Sequence, residues 1–365
     1  MTDMASSPHV RQPAWRAELR WITVWTRAVV VPASRRADAA WIGCGIVAAV
    51  LFGPTAMRPS DLTGLALHDP GVGVVLGATW LLVFLPTARM IVRPGPVYLY
   101  SLPGDRRAAR LVGALALIAL QLPWLALWLA GEGVLGAAAI VLGTTVVVAG
   151  LASWRPPRLR ARFPTWRGPG QALRAIHLRA LGRRAGDALI RGAGLSVLAG
   201  IAGGLLVRNN HLTGEAAAVL ATQVIAIALV PAQIGTSLVA LGAHRETSWL
   251  ADACGISRAT RVAALVHALA TVDVAATAIA VVAAMVVSGK NPWLPIVSLG
   301  VAFGTALGQA RTLLANETSP TVASRAAIGA ILVAALAVVC LAALGAAGAL
   351  ALAAIGGSAL LLVRP

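Results

Sequence analysis

The sequence has 365 residues, of which 58% are hydrophobic and only 12% are charged. This charged fraction is about half of the roughly 25% found in soluble domains, so the composition excludes a soluble globule of this size. Apolar runs of roughly twenty residues recur along the chain, and runs of that length match a hydrocarbon core about 30 Å thick. The sequence therefore predicts an all-α polytopic membrane protein.

The formal net charge of +17 comes from arginines that are gathered in a few loops between the apolar runs. This distribution is typical of the positive-inside rule and unlike the aromatic-lined groove of a nucleic-acid binder. We therefore expect the lipid bilayer as a partner and no nucleic acid. Cys44, Cys254 and Cys340 lie far apart, which indicates neither a disulfide framework nor a metal site.

Taken in chain order, the apolar runs predict about ten membrane spans. They cover residues 39–57, 72–92, 109–130, 133–153, 190–207, 216–243, 261–288, 292–313, 323–343 and 346–363. The last two share one apolar run that is divided at residues 345–348, so one long span is the alternative. The first run follows a polar, basic segment, which predicts a retained span and no cleaved signal peptide.

Arginine-rich loops alternate with arginine-poor loops along the chain. This alternation predicts that both termini and the even-numbered loops face the cytoplasm. The strong preference for arginine over lysine indicates a GC-rich bacterial genome, and hence a bacterial plasma membrane.

The chain divides into a first membrane half (1–153, about four spans), a basic linker (154–185) and a second membrane half (186–365, about six spans). Two short basic loops align between the halves at an offset of 151 residues. The aligned pairs are Gly104 with Gly255, Arg107 with Arg258, and Arg110 with Arg261. The equivalent orientation of the loops predicts a parallel internal repeat. Chance similarity between alanine- and leucine-rich segments is the alternative.

Each half opens with a candidate interfacial helix. In the first half the apolar stripe is Trp15, Leu19, Ile22, Trp25 and Val29. In the second half a weaker stripe consists of Leu173, Ile176 and Ala180. An ordinary solvated segment beside the membrane is the alternative for both helices.

The stretch YLYSLPGDRRAARLVGALAL (98–117) resembles the loop after the second span in type-2 ATP-binding-cassette exporter permeases. The second half is similar to that family in layout, with an elbow-like helix, two spans, the loop HRETSWLADACGISRATR (244–261) and four further spans. The likeness covers the topology of 170–365 and a four-span version of it in 10–153. The sequence departs from the family at Asp105, where serine is common, and in the second loop, which has no proline.

The resemblance implies the permease subunit of an ATP-driven exporter, whose basic loops near 98–110 and 244–260 dock a separate ATPase subunit in two copies. The candidate docking residues are Pro103, Gly104, Asp105, Arg106, Arg107, Arg110, Arg245, Glu246, Gly255, Ser257, Arg258 and Arg261. Asp105 and Ser257 are of the residue types that cap helix N-termini. The alternative is that the arginines are only topology signals at the headgroups.

The chain has no nucleotide-binding P-loop, because its single lysine, Lys290, stands in the segment SGKNP. It also contains no convincing catalytic constellation, so we do not expect an enzyme. ATP and Mg²⁺ are expected in the partner subunit and no cofactor in this chain. The apolar spans and short outer loops suit an amphiphilic cargo.

Six polar residues fall within or near the predicted spans: Asp273, His267, Gln121, Gln223, Gln233 and Gln309. Asp273 is a functional candidate because a buried ionisable group is costly in a membrane. It is the basis of the second hypothesis, a proton-coupled secondary transporter that uses Asp273 with His267, which lies six residues earlier and not on the same helix face. The alternative is an Asp273 that is protonated or hydrogen-bonded across a helix interface. A third hypothesis is a non-transporting scaffold whose basic face binds anionic lipid or protein.

Overall fold

The computed structural model describes residues 14–53, 57–94, 106–153 and 168–361. Fourteen α-helices and no strand occur in these ranges. The helices are α1 Ala14–Trp25, followed by a π-helical segment Thr26–Val30, then α2 Val31–Leu51, α3 Pro59–His68, α4 Pro70–Val92, α5 Arg106–Ala119, α6 Leu122–Ser153, α7 Pro169–Arg184, α8 Gly186–Asn209, α9 Gly214–Ala232, α10 Ile234–Ala253, α11 Arg258–Ser288, α12 Trp293–Ala315, α13 Val322–Leu344 and α14 Ala347–Leu361.

Seven of these helices are long and apolar enough to cross a membrane, namely α4, α6, α8, α9, α11, α12 and α13. Shorter apolar helical stretches lie at Trp41–Leu51, Ala108–Ala119 and Ala347–Ala359. An all-helical chain satisfies its backbone hydrogen bonds internally, which a bilayer requires. The predicted all-α membrane class is confirmed, whereas the ten-span count and the internal repeat stay predictions.

Two of the predicted spans contain breaks. The predicted span 216–243 is interrupted at Gln233, since α9 ends at Ala232 and α10 begins at Ile234. Pro231 has no N–H to donate in this last turn, which weakens the helix there. The predicted span 109–130 is interrupted at Leu120 and Gln121, and α6 bends at Gly133, where φ is +72°. The predicted boundary between the third and fourth spans lies at this bend.

The last apolar run is divided where the sequence suggested. α13 ends at Leu344, Gly345 has a φ of +59°, and α14 begins at Ala347. A side chain from the start of α9 holds the turn, because Glu215 accepts a 2.8 Å hydrogen bond from the backbone N–H of Ala346. The run therefore forms two helices.

In the two predicted interfacial helices, the residues buried against the rest of the protein are only partly those of the predicted apolar stripes. In α1 and the π-helical segment after it, Trp25 and Val29 are buried whereas Leu19 is 53% exposed. The side chain of Trp15 lies outside the described residues. In α7 the row buried within the protein is Leu173, His177 and Leu181, whereas Ile176 and Ala180 of the predicted stripe are half-buried. This row recurs every four residues and faces α10 and α11.

Helix α8 joins the two halves. It packs on α2 and α4 of the first half and on α9 and α11 of the second, and its contact with α11 is the largest between any two described helices. Glycines make that contact close: a Cβ atom added at Gly204 would lie 2.8 Å from the carbonyl oxygen of Ala284. Small residues of this kind let helix backbones approach where a larger side chain cannot fit.

Candidate functional site

The second basic loop forms a tight turn between α10 and α11. Gly255 has a φ of +65°, its N–H donates to the carbonyl oxygen of Asp252 at 3.0 Å, and the N–H of Ile256 donates to that of Ala251 at 2.9 Å. These two bonds are the Schellman arrangement, in which glycine ends a helix because it adopts the left-handed conformation without strain. The turn is therefore defined by its own sequence, and Gly255 has a structural role in it.

The start of α11 is capped as predicted. Ser257 is the N-cap, and its hydroxyl accepts from the backbone N–H of Thr260 at 3.3 Å. Arg261, one turn into α11, pairs with Asp252 of α10 at 2.7 Å. A partly exposed ion pair contributes modestly to stability, and together with both caps it links the two sides of the turn. We call residues 244–261, with the adjoining end of α7, the basic corner.

The end of α7 contributes a second ion pair to the basic corner. Arg184 donates a 2.6 Å hydrogen bond to Glu246 of α10. This bond lowers the pKa of the Glu246 carboxyl below its ordinary value. Both side chains are exposed, so the pair orients the helices more than it stabilises them.

The outer face of the basic corner combines apolar and basic side chains. Trp249 is 69% exposed and Leu250 is 42% exposed near the end of α10. Arg258 is exposed at the start of α11, and Arg245 is half-buried. Aromatic and arginine side chains are the types enriched at protein–protein interfaces. The corner therefore presents apolar and basic side chains next to one another.

Most of the first basic loop lies outside the described residues. This applies to Pro103, Gly104 and Asp105, and to the side chains of Arg106 and Arg107. Arg110 is described and is exposed on α5. The equivalence of the two basic loops thus stays a prediction.

Two histidines meet beneath the basic corner. The rings of His177 in α7 and His244 in α10 lie 5.9 Å apart, and both side chains are buried. Burial lowers the pKa of His177, and it lowers the pKa of His244 to about 4, with further contributions from His177, Arg261 and Arg258. Neither α7 nor α10 is among the helices of spanning length and composition. Because both pKa values are lowered from 6.5, both rings are neutral near pH 7.

We expect acid to loosen the contact between α7 and α10. In the unfolded chain a histidine binds its proton near pH 6.5, whereas folded His244 binds it only near pH 4, so stability falls as the pH drops through this window. Between pH 7.5 and pH 5 the loss should be roughly 2 kcal/mol. Thermal unfolding at the two pH values measures it. His244→Gln should reduce the difference and His211→Gln, at an exposed histidine, should preserve it; equal pH dependence in both variants would contradict this assignment.

A polar pocket lies in the second half beside the break at Gln233. It is bordered by α9, α11 and α12 and has a volume of about 20 Å³. Its polar lining residues are Thr222, Gln233, Asp273, Thr277, Ser298 and Thr305. The hydroxyls of Thr222 and Ser298 are 2.7 Å apart and join α9 to α12. The pocket thus brings Asp273 together with hydroxyl and amide groups from neighbouring segments, among apolar side chains of α9 and α12.

The remaining predicted polar residues fall in different places. Gln309 accepts a 2.8 Å hydrogen bond from Ser237, next to the polar pocket. Gln223 donates a 3.3 Å hydrogen bond to the carbonyl oxygen of Val338. His267 is exposed on a different face of α11 from buried Asp273, as the sequence predicted. Gln121 is fully buried in the first half, whereas the other predicted polar residues all lie in the second half.

A larger, apolar cavity of about 390 Å³ lies in the first half between α2, α3, α4, α6 and α8. The rings of Trp80 and Trp124 stack along its wall with their centroids 5.4 Å apart. Trp41 and Cys44 of α2 and Leu198 of α8 also line it. Its lining is almost entirely apolar, so it suits an aliphatic or aromatic group.

Sequence reasoning missed several members of these sites. Thr222, Ser298 and Thr305 lie on α9 and α12 within apolar runs, and His177 was not singled out at all. Hydroxyl residues in membrane helices commonly bond to their own backbone, so their presence in the sequence carries little signal. Their proximity to Asp273 or to His244 is produced only by helix packing.

The fold and these sites define an all-helical, membrane-type protein with a basic corner at one end and a buried acid within the bundle. No protein-family model matches the sequence, and no curated protein or solved structure is significantly similar to it.

Proposed function

We propose that this chain is the membrane-spanning permease subunit of an ATP-driven exporter, of the type-2 ATP-binding-cassette kind, and that the basic corner docks a separate ATPase. The observation that carries the proposal is the basic corner itself, which presents exposed Trp249 and Leu250 beside arginines on a capped turn. The resemblance of the loop sequences supports the same reading.

The corner is suited to pass motion from a partner to the bundle. α11 begins directly at the turn and runs to Ser288 along α8, its largest neighbour. A partner that moves the turn would tilt α11 and with it the α8 interface, because close-packed helices transmit displacement rather than absorb it. Trp249 gives such a partner a large apolar anchor.

The proposal includes the finer organisation predicted from the sequence. The chain has about ten spans in a parallel 4+6 repeat, and both termini are in the cytoplasm of a bacterial plasma membrane. The loops near 98–110 and 244–260 each dock one ATPase, which supplies the ATP and Mg²⁺ chemistry. The apolar cavity in the first half supports an amphiphilic cargo.

The test is purification of the tagged chain from its native membrane in mild detergent, followed by mass spectrometry and an ATPase assay. We expect a soluble P-loop ATPase to co-purify. Charge reversal at both loops, Arg107→Glu with Arg258→Glu, should reduce its recovery about tenfold or more, because reversed charges at an interface repel. Trp249→Asp should have a similar effect through loss of the apolar anchor.

Two matched control variants change residues at helix ends outside the basic corner. Arg208→Glu changes an exposed arginine at the end of α8, and Trp293→Asp changes a tryptophan that is 45% exposed at the start of α12. Both should leave the ATPase bound. Two ATPase copies per chain would support the internal repeat. A pure preparation without ATPase activity, or equal loss in the controls, would contradict the proposal.

Secondary transport coupled to protons is the second candidate, and the burial of Asp273 among polar groups favours it. His267 does not share that environment, so Asp273 would act without it. The scaffold hypothesis instead places Trp249 and the arginines against anionic headgroups. Loss of binding to anionic vesicles in Trp249→Asp, with no ATPase recovered with the unmodified chain, would favour the scaffold.

A further inference from the structure

The polar pocket beside Gln233 has room for one water molecule or one small ion. Its volume of about 20 Å³ slightly exceeds the minimum needed for a single water-sized occupant. Gln233 interrupts the helical run from α9 to α10 at the pocket, and Asp273 faces it from α11. Discontinuous helices beside buried polar groups are how many membrane transporters build ion sites.

Two oxygen atoms in this pocket have no protein donor. Oδ2 of Asp273 and Oε1 of Gln233 are buried, and neither accepts a hydrogen bond from any described residue. Their side chains are only 4% and 5% exposed. Buried acceptors are nearly always satisfied in proteins, so two of them at one small pocket indicate an occupant that both can bind.

The charge of Asp273 limits which occupants fit. No lysine or arginine lines the pocket, so an ionised Asp273 has no countercharge there. If Asp273 is protonated, a water molecule or a turned Gln233 amide satisfies these oxygens and no countercharge is needed, whereas an ionised Asp273 beside water alone would be an isolated buried carboxylate. One monovalent cation satisfies the oxygens and neutralises the charge together.

Other cations fit less well. No group of three or more histidine, cysteine, aspartate or glutamate side chains that could hold a metal occurs among the described residues. A divalent ion with a single carboxylate would keep a positive charge in the apolar bundle. Amide, hydroxyl and carboxylate oxygens are hard ligands, which favour hard cations.

We propose that Asp273 and Gln233, with the hydroxyls of Thr222 and Ser298, form a binding site for one Na⁺ ion between α9, α11 and α12. The ion links the broken α9–α10 segment to α11 and α12, so its binding stabilises the second half. This inference does not depend on the proposed function, because its test measures neither an ATPase nor transport.

The experiment uses the full-length purified chain in detergent at pH 8, with its eleven tryptophans as the fluorescence probe of unfolding. Na⁺ is titrated against choline at constant ionic strength. For a site half-filled near 10 mM, 100 mM Na⁺ should lower the unfolding equilibrium constant about tenfold. Choline should have no effect, and equilibrium dialysis with radioactive Na⁺ should give one ion per chain.

Asp273→Asn should abolish the Na⁺ dependence, and Gln233→Leu should weaken it. Asp187→Asn, which changes a more exposed acid at the start of α8, should preserve it. If Asp273→Asn does not fold, the dialysis measurement on the unmodified chain still decides the question. Stability that depends on pH but not on Na⁺, or dialysis without bound Na⁺, would overturn the proposal in favour of a protonated Asp273.

Discussion

Gly200→Leu is expected to prevent the chain from reaching a stable, monodisperse fold. A Cβ atom at Gly200 would overlap the carbonyl oxygen of Ala280 and lie 2.8 Å from the Cβ of Ala283, both on α11. The nearest obstacle is backbone, which cannot rotate away as a side chain can. Overpacking of this kind costs about 3 kcal/mol or more, and it falls on the largest helix interface in the described fold.

Fluorescence-detected size exclusion and thermal unfolding measure this effect. The matched control is Gly192→Leu in the same helix, because an added Cβ at Gly192 meets no atom within 4 Å. Gly200→Ala should give an intermediate loss. Equal unfolding temperatures for Gly200→Leu and Gly192→Leu would show that α8 and α11 are not in the close contact described here.

Gln121→Leu is expected to destabilise the first half by about 2 kcal/mol. Gln121 is fully buried at the break between α5 and α6, and its Oε1 accepts a 3.1 Å hydrogen bond from Nε1 of Trp80. Its Nε2 donates to the hydroxyl of Thr145 at 2.8 Å. Thr145 also donates to its own helix backbone, so the groups that lose a partner in the leucine variant are the Trp80 N–H and the carbonyl oxygen of Leu117, which accepts from Gln121 Nε2 at 3.2 Å.

Thermal unfolding should therefore show a clear loss of stability for Gln121→Leu. The loss of stability for Gln223→Leu should be small, since the hydrogen bond of Gln223 to Val338 is long, at 3.3 Å. Adding Trp80→Phe removes the orphaned donor. The double variant should be less destabilised than the sum of the single variants. Strict additivity would mean that the Trp80–Gln121 bond does not exist in the folded chain.

The locations of the helices followed from the sequence because a membrane helix has a local signature. A run of apolar residues in a membrane must form its backbone hydrogen bonds within the same segment, so the length and the ends of the helix can be identified in the sequence. The helix division at Gly345 was predicted from an interruption of the last apolar run, and the N-cap at Ser257 from its residue type. The break at Gln233 was not predicted, since Pro231 within an apolar run is compatible with a continuous helix in a membrane.

The candidate sites were predictable only in part. Asp273 was identified because a lone acid in an apolar run is unusual, and Trp249 lies in a loop that the resemblance had already indicated. The neighbours of Asp273 come from α9 and α12 and are separated from it by up to about fifty residues. No local pattern specifies which hydroxyls such a residue will meet.

The sequence by itself determined the all-α membrane class, most of the long apolar helices and the N-cap of the basic corner. Each depends on apolar content, arginine placement or residues within about one helical turn of one another. The tertiary structure alone decided that α8 connects the halves, that His177 lies against His244, and that Asp273 and Gln233 share a pocket. These contacts depend on which helix faces pack together, and that choice is made by the fit of small residues such as Gly200 and Gly204 across the whole bundle.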